Sequence, residues 1–536
     1  MILYGLLLLI IFVVLLYKER KSLYMLQQNL YNENNRYLKW VAKNKKDFFN
    51  FELIIIFIAA LGCFVTFDLE SIPSILLLAM IVLYGIEIIR LEQDKSKEQN
   101  KIAFKITARV KRLIITFSIL MLIPLIFFIL NKDNSSVCWM IIFIITLLVY
   151  FNRFVMWGVN IINKPVEKCV FIYYKTKAQN KLKSMSNLKV VGITGSYGKT
   201  SSKNILSDIL NIKYNALPTP RNLNTFYGLM ITVNNHLTKF DDIFIAEMGA
   251  YTKGEIKGLC KLVKPKYGIL TTIGKAHLES FGSEENIQTA KFELIESLPI
   301  DGIGVLNMDD EKQVNYQLKN KCQIIWIAID NDAADVRAAD IKCSKEGTSF
   351  NIILKGDKKK YPFNTKLLGK HNVYNILASV ALGLEFGISI EQLQQAVLGV
   401  KPVPHRLELK PLGKFYQIAD DYNSNPVGAK GAVEVLGMMP GLKVVVTPGM
   451  IELGKDEERL NEEFGSQIAE VADYVVLIGE KRTKPIYNGL IKKNFDKKRI
   501  VVYNDVRDAF PYIDTLTGKQ DVYALFENDL PDTYNE

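Results

Sequence analysis

The sequence predicts an N-terminal α-helical membrane domain followed by two α/β domains. Long apolar runs crowd the first 151 residues, and short β-branched runs alternate with amphipathic stretches from Leu188 onward. A second alternation of the same kind begins near residue 403. We therefore expect a transmembrane region with an interfacial linker helix at 1–183, a central nucleotide-binding domain at 184–402 and a smaller Rossmann-like C-terminal domain at 403–536.

Composition excludes several classes of protein. The chain has 536 residues, of which 49% are hydrophobic and 23% are charged, so a disordered or collagen-like chain is ruled out. The net charge of +11 suits nucleic acid, an anionic membrane or a phosphate-bearing substrate as a partner. The six cysteines include no Cys-x-x-Cys pair, which argues against a disulfide scaffold or zinc ribbon and favours a reducing compartment.

The first apolar run predicts an uncleaved membrane helix. Residues 1–17 are apolar and are followed by charged residues, whereas a signal peptide carries its charges before the apolar run and small residues at a cleavage site after it. Further apolar runs lie at 51–67, 72–89, 113–130 and 137–151. Five such runs leave too little polar surface for a soluble helical core, so we expect about five membrane spans.

Loop charge predicts the orientation of these spans. The segments 18–50 and 90–112 each carry eight lysines and arginines, whereas the loops near 68–71 and 131–136 hold only Lys132. Basic loops face the cytoplasm, so with five spans the N-terminus would lie outside and the α/β domains would be cytoplasmic.

The segment 154–182 mixes aromatic residues with lysines at loosely helical spacing. This pattern is typical of an interfacial helix, and it favours anionic lipid over nucleic acid as the partner of the positive charge. Glu87 lies near the basic end of the third apolar run, where we expect it to reach toward Arg90.

Short β-branched runs predict a parallel sheet in each α/β domain. The predicted strands are 189–194, 242–248, 266–273, 303–308 and 322–329 in the central domain, and 443–449, 472–479 and 498–504 in the C-terminal domain.

The strongest local motif joins the first of these strands to a helix through a glycine-rich turn, Gly195-Ser196-Tyr197-Gly198-Lys199-Thr200-Ser201. Backbone N–H groups in such a P-loop bind phosphate oxygens, the lysine reaches the β- and γ-phosphates, and the threonine hydroxyl binds Mg²⁺. The motif departs from the usual P-loop because Ile193 stands where the first glycine is expected. A purely structural turn is the alternative.

The same loop resembles the Gly-Thr-x-Gly-Lys-Thr-[Ser/Thr] loop of the Mur ligase family, the ATP-dependent ligases that add amino acids to cell-wall precursors. Other motifs follow in that family's order over residues 188–536. They are Arg221-Asn222-Leu223-Asn224, Glu247-Met248-Gly249, Ala276-His277-Leu278-Glu279, Ala290-Lys291-Phe292-Glu293, Leu306-Asn307-Met308-Asp309-Asp310, Gly369-Lys370-His371-Asn372, Pro404-His405-Arg406 and Asp420-Asp421-Tyr422-Asn423. Within the family, residues 449–454 are most similar to the branch that adds D-alanyl-D-alanine.

The resemblance implies ATP, probably two Mg²⁺ ions and a set of metal ligands. Thr200, Glu247, His277 and Lys291 match the family's metal positions. The lysine at the position of Lys291 is usually carbamylated in the family, which turns a cation into a carboxylate-like ligand. The alternatives are that Glu247 caps a turn, that His277 is structural, and that Lys291 is an ordinary surface lysine.

The resemblance also implies nucleotide contacts and catalytic groups. Asn307 corresponds to the adenine position, Arg406 to the arginine that reaches the γ-phosphate from the next domain, and Asp421 to the residue on the ribose. His371, Asn372 and Asn375 suit a helix that faces the nucleotide, although His371 could instead cap that helix. The catalytic set is therefore expected to be Lys199, Lys291, His277 and Arg406.

These implications favour a membrane-anchored ligase that joins an amino acid or dipeptide to a carboxylate of a cell-envelope glycan or lipid-linked precursor through an acyl phosphate. A tethered D-alanyl-D-alanine-adding ligase and a poly-γ-glutamate-type ligase remain alternatives within the class. A nucleotide-gated membrane scaffold or transporter is the alternative from another class. Because apolar runs occupy the place of the family's UDP-binding domain, a lipid-linked acceptor is attractive.

Overall fold

The computed structural model describes residues 2–29, 31, 35–45, 51–65, 72–97, 104–274, 278–402, 405–420, 426–451, 453, 456–518 and 520–528. The chain divides into two compact units, residues 1–173 and 174–536.

Helices make up the first unit. They are α1 (Ile2–Gln28), α2 (Arg36–Lys43), α3 (Glu52–Val65), α4 (Ile72–Lys97), α5 (Ala108–Leu130), α6 (Ser135–Tyr150) and α7 (Asn152–Lys183), the last of which continues into the second unit. Buried apolar side chains from α1, α3, α4, α5 and α6 form one core. Glu87 is buried on α4, and its Oε2 lies 3.6 Å from Nη1 of Arg90.

The prediction of five membrane spans is wrong for the described residues. In the part of the chain that the structure describes, each predicted apolar run lies in a helix, but only α1, α4 and α5 are long and apolar enough to cross a membrane. A helix rises 1.5 Å per residue, so the 14 residues of α3 reach only about 21 Å, short of the roughly 30 Å of a bilayer core. Helices α6 and α7 meet at an 82° bend, and counting that pair as one span gives four at most.

A nine-stranded sheet forms the first half of the second unit, in the order β2-β3-β1-β4-β5-β6-β7-β8-β9. Its strands are β1 (Lys189–Thr194), β2 (Ala216–Pro218), β3 (Ile243–Glu247), β4 (Tyr267–Leu270), β5 (Ile303–Asn307), β6 (Gln323–Ala328), β7 (Val336–Ser344), β8 (Gly347–Leu354) and β9 (Lys360–Thr365). The accompanying helices are α8 (Lys199–Leu210), α9 (Phe226–Asn235), α10 (Glu255–Val263), α11 (Leu278–Phe281), α12 (Glu284–Glu296), α13 (Glu311–Val314), α14 (Lys370–Glu385) and α15 (Ile390–Gly399).

The five strands predicted for the central domain are present and pair in parallel, which places their carboxyl ends at one edge of the sheet. The antiparallel strands β7–β9 were not predicted, because buried residues in them are interrupted by half-buried or exposed ones and no continuous apolar run marks them. The core between sheet and helices includes Val191 and Ile193 of β1, Ile205 of α8 and Ile376 of α14.

A six-stranded sheet forms the C-terminal half, in the order β10-β11-β15-β12-β13-β14. Its strands are β10 (Glu408–Leu412), β11 (Phe415–Asp420), β12 (Leu442–Thr447), β13 (Tyr474–Ile478), β14 (Ile500–Tyr503) and β15 (Val522–Glu527), and its helices are α16 (Pro426–Gly437), α17 (Glu457–Ala469), α18 (Glu480–Lys492) and α19 (Ala509–Leu516). The three predicted strands correspond to β12, β13 and β14. The edge strand β10 is antiparallel, and the other five are parallel.

Close approach of α17 and α18 gives a test of the C-terminal packing. A Cβ at Gly489 would lie 2.0 Å from the carbonyl oxygen of Glu462, so Gly489→Ala is expected to destabilise this domain. Overpacking of this kind costs about 1–3 kcal/mol. The control is Gly431→Ala in α16, where nothing lies within 4 Å of the added methyl. Thermal unfolding of the detergent-solubilised protein measures both, and equal unfolding midpoints for the two variants would contradict the packing.

Candidate active site

The glycine-rich loop between β1 and α8 is fastened to the segment that follows β4. The N–H of Ser196 donates to the carbonyl of Thr272 at 2.8 Å, and its hydroxyl donates to the carbonyl of Gly274 at 2.9 Å. The hydroxyl of Thr271 donates to the carbonyl of Tyr197 at 2.6 Å. A Cβ at Gly195 would lie 1.9 Å from Oγ1 of Thr271, so this close approach requires glycine.

Helix α8 begins directly after this loop. Its N-cap is Gly198, whose φ of +79° lies in the left-handed region, and Ser201 is half-buried in the first turn. The ammonium of Lys199 donates to the carbonyls of Gly195 and Ser196 at 2.7 and 3.1 Å. The loop, the lysine and the helix N-terminus are the parts that bind a phosphate chain, so the residues present fit a nucleotide.

Glu247 ends β3 beside the first turn of α8 and is only 2% exposed. Its Oε1 accepts from the hydroxyl of Thr200 at 3.1 Å and from Nδ2 of Asn224 at 3.0 Å. Its Oε2 lies 3.1 Å from Nζ of Lys203. A hydroxyl next to a buried carboxylate provides the oxygen ligands that Mg²⁺ prefers, and the predicted pair of Thr200 and Glu247 is therefore brought together.

Lys203 and Asn224 are neighbours of Glu247 that the sequence analysis did not assign. Lys203 lies four residues after Lys199 and so on the same face of α8, a spacing that could have drawn attention to it. Asn224 belongs to a motif that the sequence analysis named, but its amide contact with Glu247 depends on how residues 219–225 fold against β3.

Lys291 lies in α12 and is 2% exposed, so it is not a surface lysine. Burial, and next the charge of Lys199, lower the pKa of Lys291 to about 7, and the charges of Glu255 and Glu293 oppose this shift. A substantial fraction of its amine is therefore neutral near pH 7, and the neutral amine is the form that reacts with CO₂.

Two predicted residues, His277 and Asp421, lie outside the described residues. Within the described part of the chain, no group of three His, Cys, Asp or Glu side chains is arranged to hold a metal ion. The predicted metal set is of a different kind, because it includes a lysine and His277.

The predicted adenine position, Asn307, ends β5. Its Oδ1 accepts from the N–H of Asp309 at 3.0 Å, and its own N–H donates to Oε1 of Gln313 at 2.9 Å. Nε2 of Gln313 donates to the carbonyl of Thr271 at 2.5 Å, which connects this segment to the residues that hold the glycine-rich loop.

Three predicted nucleotide contacts lie in the first turns of α14. His371 is exposed, whereas Asn372 and Asn375 are buried. The N-cap of α14 is Gly369, without a side-chain cap, so His371 does not cap this helix. Oδ1 of Asn375 lies 3.6 Å from where a Cβ at Gly198 would be, which brings α14 next to the glycine-rich loop.

Arg406 comes from the C-terminal half of the second unit. Burial lowers the pKa of Lys199, Glu247 opposes this shift, and the charge of Arg406 lowers the pKa further. Arg406 is therefore close enough for its charge to act on the P-loop lysine. The residues on either side, His405 and Leu407, have φ values of +62° and +47°, a conformation uncommon for residues other than glycine.

Comparison with known proteins gives the family. Residues 193–383 match the Mur ligase middle domain, and residues 405–526 match the glutamate ligase domain of Mur ligases. The UDP-N-acetylmuramoyl-tripeptide–D-alanyl-D-alanine ligase of Bacillus subtilis is 31% identical over 377 residues, which cover 69% of this chain and 80% of that protein. The chain belongs to the Mur ligase family. Membership makes it an ATP-dependent, ADP-forming ligase, as the motifs implied.

Other Mur ligases match over similar shares. The ligase of the same name from Escherichia coli is 34% identical over 55% of this chain and 65% of its own length, so the chain spans less than two thirds of that relative. The crystal structure of MurF from Acinetobacter baumannii has a TM-score of 0.57 at 25% identity and covers 67% of this chain and 77% of that one. MurF from Thermotoga maritima, solved in complex with ADP, has a TM-score of 0.57 at 26% identity, with 67% and 80% coverage.

Crowding at Gly195 gives a test of the nucleotide loop. Gly195→Ala is expected to weaken ADP binding about tenfold or more, because the added methyl would displace the loop from Thr271 at a cost of about 1–3 kcal/mol. Isothermal titration of the purified protein with ADP in the presence of Mg²⁺ measures the dissociation constant of ADP. The control is Gly258→Ala in α10, where nothing lies within 4 Å of the new methyl. Equal affinities in the two variants would contradict the importance of this contact.

Proposed function

We propose that this Mur ligase is anchored in the cell membrane and joins an amino acid or dipeptide, with D-alanyl-D-alanine as the favoured donor, to a carboxylate of a cell-envelope precursor. The observation that carries the proposal is the arrangement of Lys199, Thr200 and buried Glu247 at the end of a glycine-rich loop. The names of the D-alanyl-D-alanine ligases among the relatives support the donor.

The reaction needs two balanced steps. The acceptor carboxylate attacks the γ-phosphorus of ATP, the bond to the β-phosphate oxygen breaks, and an acyl phosphate and ADP form. The amine then attacks the acyl carbon, the amine loses a proton, and phosphate leaves as the amide forms. Phosphoryl transfer depends mainly on positioning and on neutralising charge.

Each part of the site has a role in this proposal. The loop residues Gly195, Ser196, Gly198 and Ser201 hold the phosphate chain, and Lys199 and Arg406 neutralise charge on the transferred phosphoryl group. Mg²⁺, when bound, would be held by Thr200 and Glu247 with His277 and a carbamylated Lys291, and it would neutralise phosphate charge. Asn307, His371, Asn372, Asn375 and Asp421 would contact the nucleoside.

Membrane anchoring is supported by the three long apolar helices α1, α4 and α5. An outside N-terminus and an odd number of spans keep the ligase domains cytoplasmic, and this orientation stays part of the proposal. With the three spans α1, α4 and α5, the basic segments 18–50 and 90–112 lie on opposite sides of the membrane, so loop charge supports the orientation through segment 18–50 alone. The proposal includes the domain boundaries expected from the sequence, which separate the membrane region from the central domain at 183/184 and the central from the C-terminal domain at 402/403. The apolar helices also favour an acceptor that is itself lipid-linked, with a UDP-linked acceptor as the alternative.

A ligation assay tests the function. The detergent-solubilised full chain is supplied with ATP, Mg²⁺, D-alanyl-D-alanine or single amino acids, and either a lipid-linked or a UDP-linked muramoyl-tripeptide. Phosphate release and mass spectrometry of the products are measured. We expect release that requires both acceptor and amine, and a loss of about 100-fold or more in Lys199→Ala, because the charge of Lys199 acts only near the phosphates.

The exposed lysine variant Lys239→Ala serves as the control and should retain full activity. The acceptor that reacts decides between the lipid-linked and UDP-linked alternatives. Tight nucleotide binding without turnover for every acceptor and amine would contradict the ligase and favour the nucleotide-gated scaffold.

Carbamylation of Lys291 is a separate prediction. Because burial lowers the pKa of Lys291 to about 7, its neutral fraction should bind CO₂, and the fraction available should rise with pH as the proton is lost. Carbon-13 NMR of the protein in labelled bicarbonate should show a carbamate signal that is missing in Lys291→Arg and retained in Lys239→Arg. Activity of Lys291→Ala should be partly restored by short carboxylic acids. A carbamate signal that persists in Lys291→Arg would contradict the assignment.

A further inference from the structure

Lys203 is a buried cation that the proposed reaction does not use. Its side chain is 2% exposed, its Nζ lies 3.1 Å from Oε2 of Glu247, and it donates to the carbonyl of Arg221 at 2.8 Å. Burying a lysine is costly unless an opposite charge and hydrogen bonds compensate for lost water. The ammonium and the carboxylate therefore compensate each other inside the protein.

This pairing changes the net charge that a divalent cation encounters next to Glu247. The other neighbours of Glu247, Thr200 and Asn224, are neutral, so Lys203 offsets the charge of the carboxylate. Lys199, one residue before Thr200 at the start of α8, adds further positive charge. Without phosphates, and while Lys291 is not carbamylated, Glu247 and its contacts Thr200, Asn224 and Lys203 carry no excess of negative charge to attract a dication.

Two further carboxylates in this part of the domain, Glu255 and Glu293, have partners of their own. Glu255 accepts from the N–H groups of Tyr251 and Thr252, and Glu293 accepts from the N–H groups of Gly254 and Lys257. Backbone N–H groups at the start of α10 hold both carboxylates, and the charges of both raise the pKa of Lys291.

From this we infer that Lys203 makes metal binding depend on nucleotide: a divalent cation enters this site only together with the phosphates of a nucleoside di- or triphosphate. The phosphates supply the negative charge that Lys203 cancels on Glu247. Lys203 is thus a positioning residue that acts through Glu247, and it prevents the site from holding a metal ion before the nucleotide arrives. The inference rests on the proposed function, because it takes Glu247 as a metal ligand.

Binding of Mn²⁺ without nucleotide tests the inference. Electron paramagnetic resonance of free Mn²⁺ is measured on the purified full chain at pH 8 in CO₂-free buffer, so that Lys291 is not carbamylated. We expect the wild type to bind Mn²⁺ about tenfold or more weakly than Lys203→Met, because the neutral, similarly long methionine leaves the carboxylate charge uncompensated. Lys203→Arg keeps the charge and should behave like the wild type. Lys239→Met, at an exposed position, is the matched control.

Two further variants test whether the Mn²⁺ gained in Lys203→Met is bound by Glu247. The Mn²⁺ site gained in Lys203→Met should disappear in Lys203→Met/Glu247→Gln, which assigns it to this carboxylate. Should Lys203→Met fail to fold, Lys203→Gln takes its place, since it keeps a donor for the carbonyl of Arg221. A lysine with only a structural role would change thermal stability and leave Mn²⁺ affinity unaltered.

Equal Mn²⁺ affinity in wild type and Lys203→Met would overturn the inference and leave the ligase proposal intact. Tight Mn²⁺ binding by the wild type without nucleotide would also overturn it. Isothermal titration with ADP and Mg²⁺ shows whether the proposed function itself fails. A wild type that binds no ADP in the presence of Mg²⁺ would overturn the proposed function as well as the inference.

Discussion

The carboxylate of Glu247 is the point on which the nucleotide site depends. It ends a buried strand, and both of its oxygens contact protein groups on α8 and in the segment before α9. A buried charge in this place is tolerable only while Thr200, Asn224 and Lys203 surround it. The same contacts fix the first turn of α8 relative to β3, so the carboxylate positions both Thr200 and, through the helix, Lys199.

A second network holds the loop that faces this carboxylate. Thr271 contacts the loop at Gly195 and Tyr197, and its carbonyl accepts from Gln313, whose own Oε1 holds the backbone of Asn307. The ends of β1, β4 and β5 are thereby connected through backbone carbonyls and N–H groups. Because these bonds involve the main chain, the geometry of the loop depends on the sheet and less on the identity of individual side chains.

Sequence patterns located most of the fold but misjudged two aspects of it. Continuous apolar runs identified the parallel strands, because strands buried on both faces show such runs. The antiparallel strands β7–β9 were missed, since half-buried or exposed polar residues interrupt their buried positions and leave no continuous apolar run. Counting apolar runs overestimated the membrane spans among the described residues, because the described helix α3 has only 14 residues and the run at α6 ends at a sharp bend. Composition does not show where a helix stops.

The sequence by itself determined the family, the glycine-rich loop and the pairing of Thr200 with Glu247, because those depend on short motifs whose order follows the order of the strands. Only the tertiary structure decided that Lys203 neutralises Glu247, that Lys291 is buried with a pKa near 7, and that Arg406 acts on Lys199. The physical reason is that burial and charge compensation arise between segments distant along the chain. Residue type shows which groups can carry charge, and packing decides which of those charges meet.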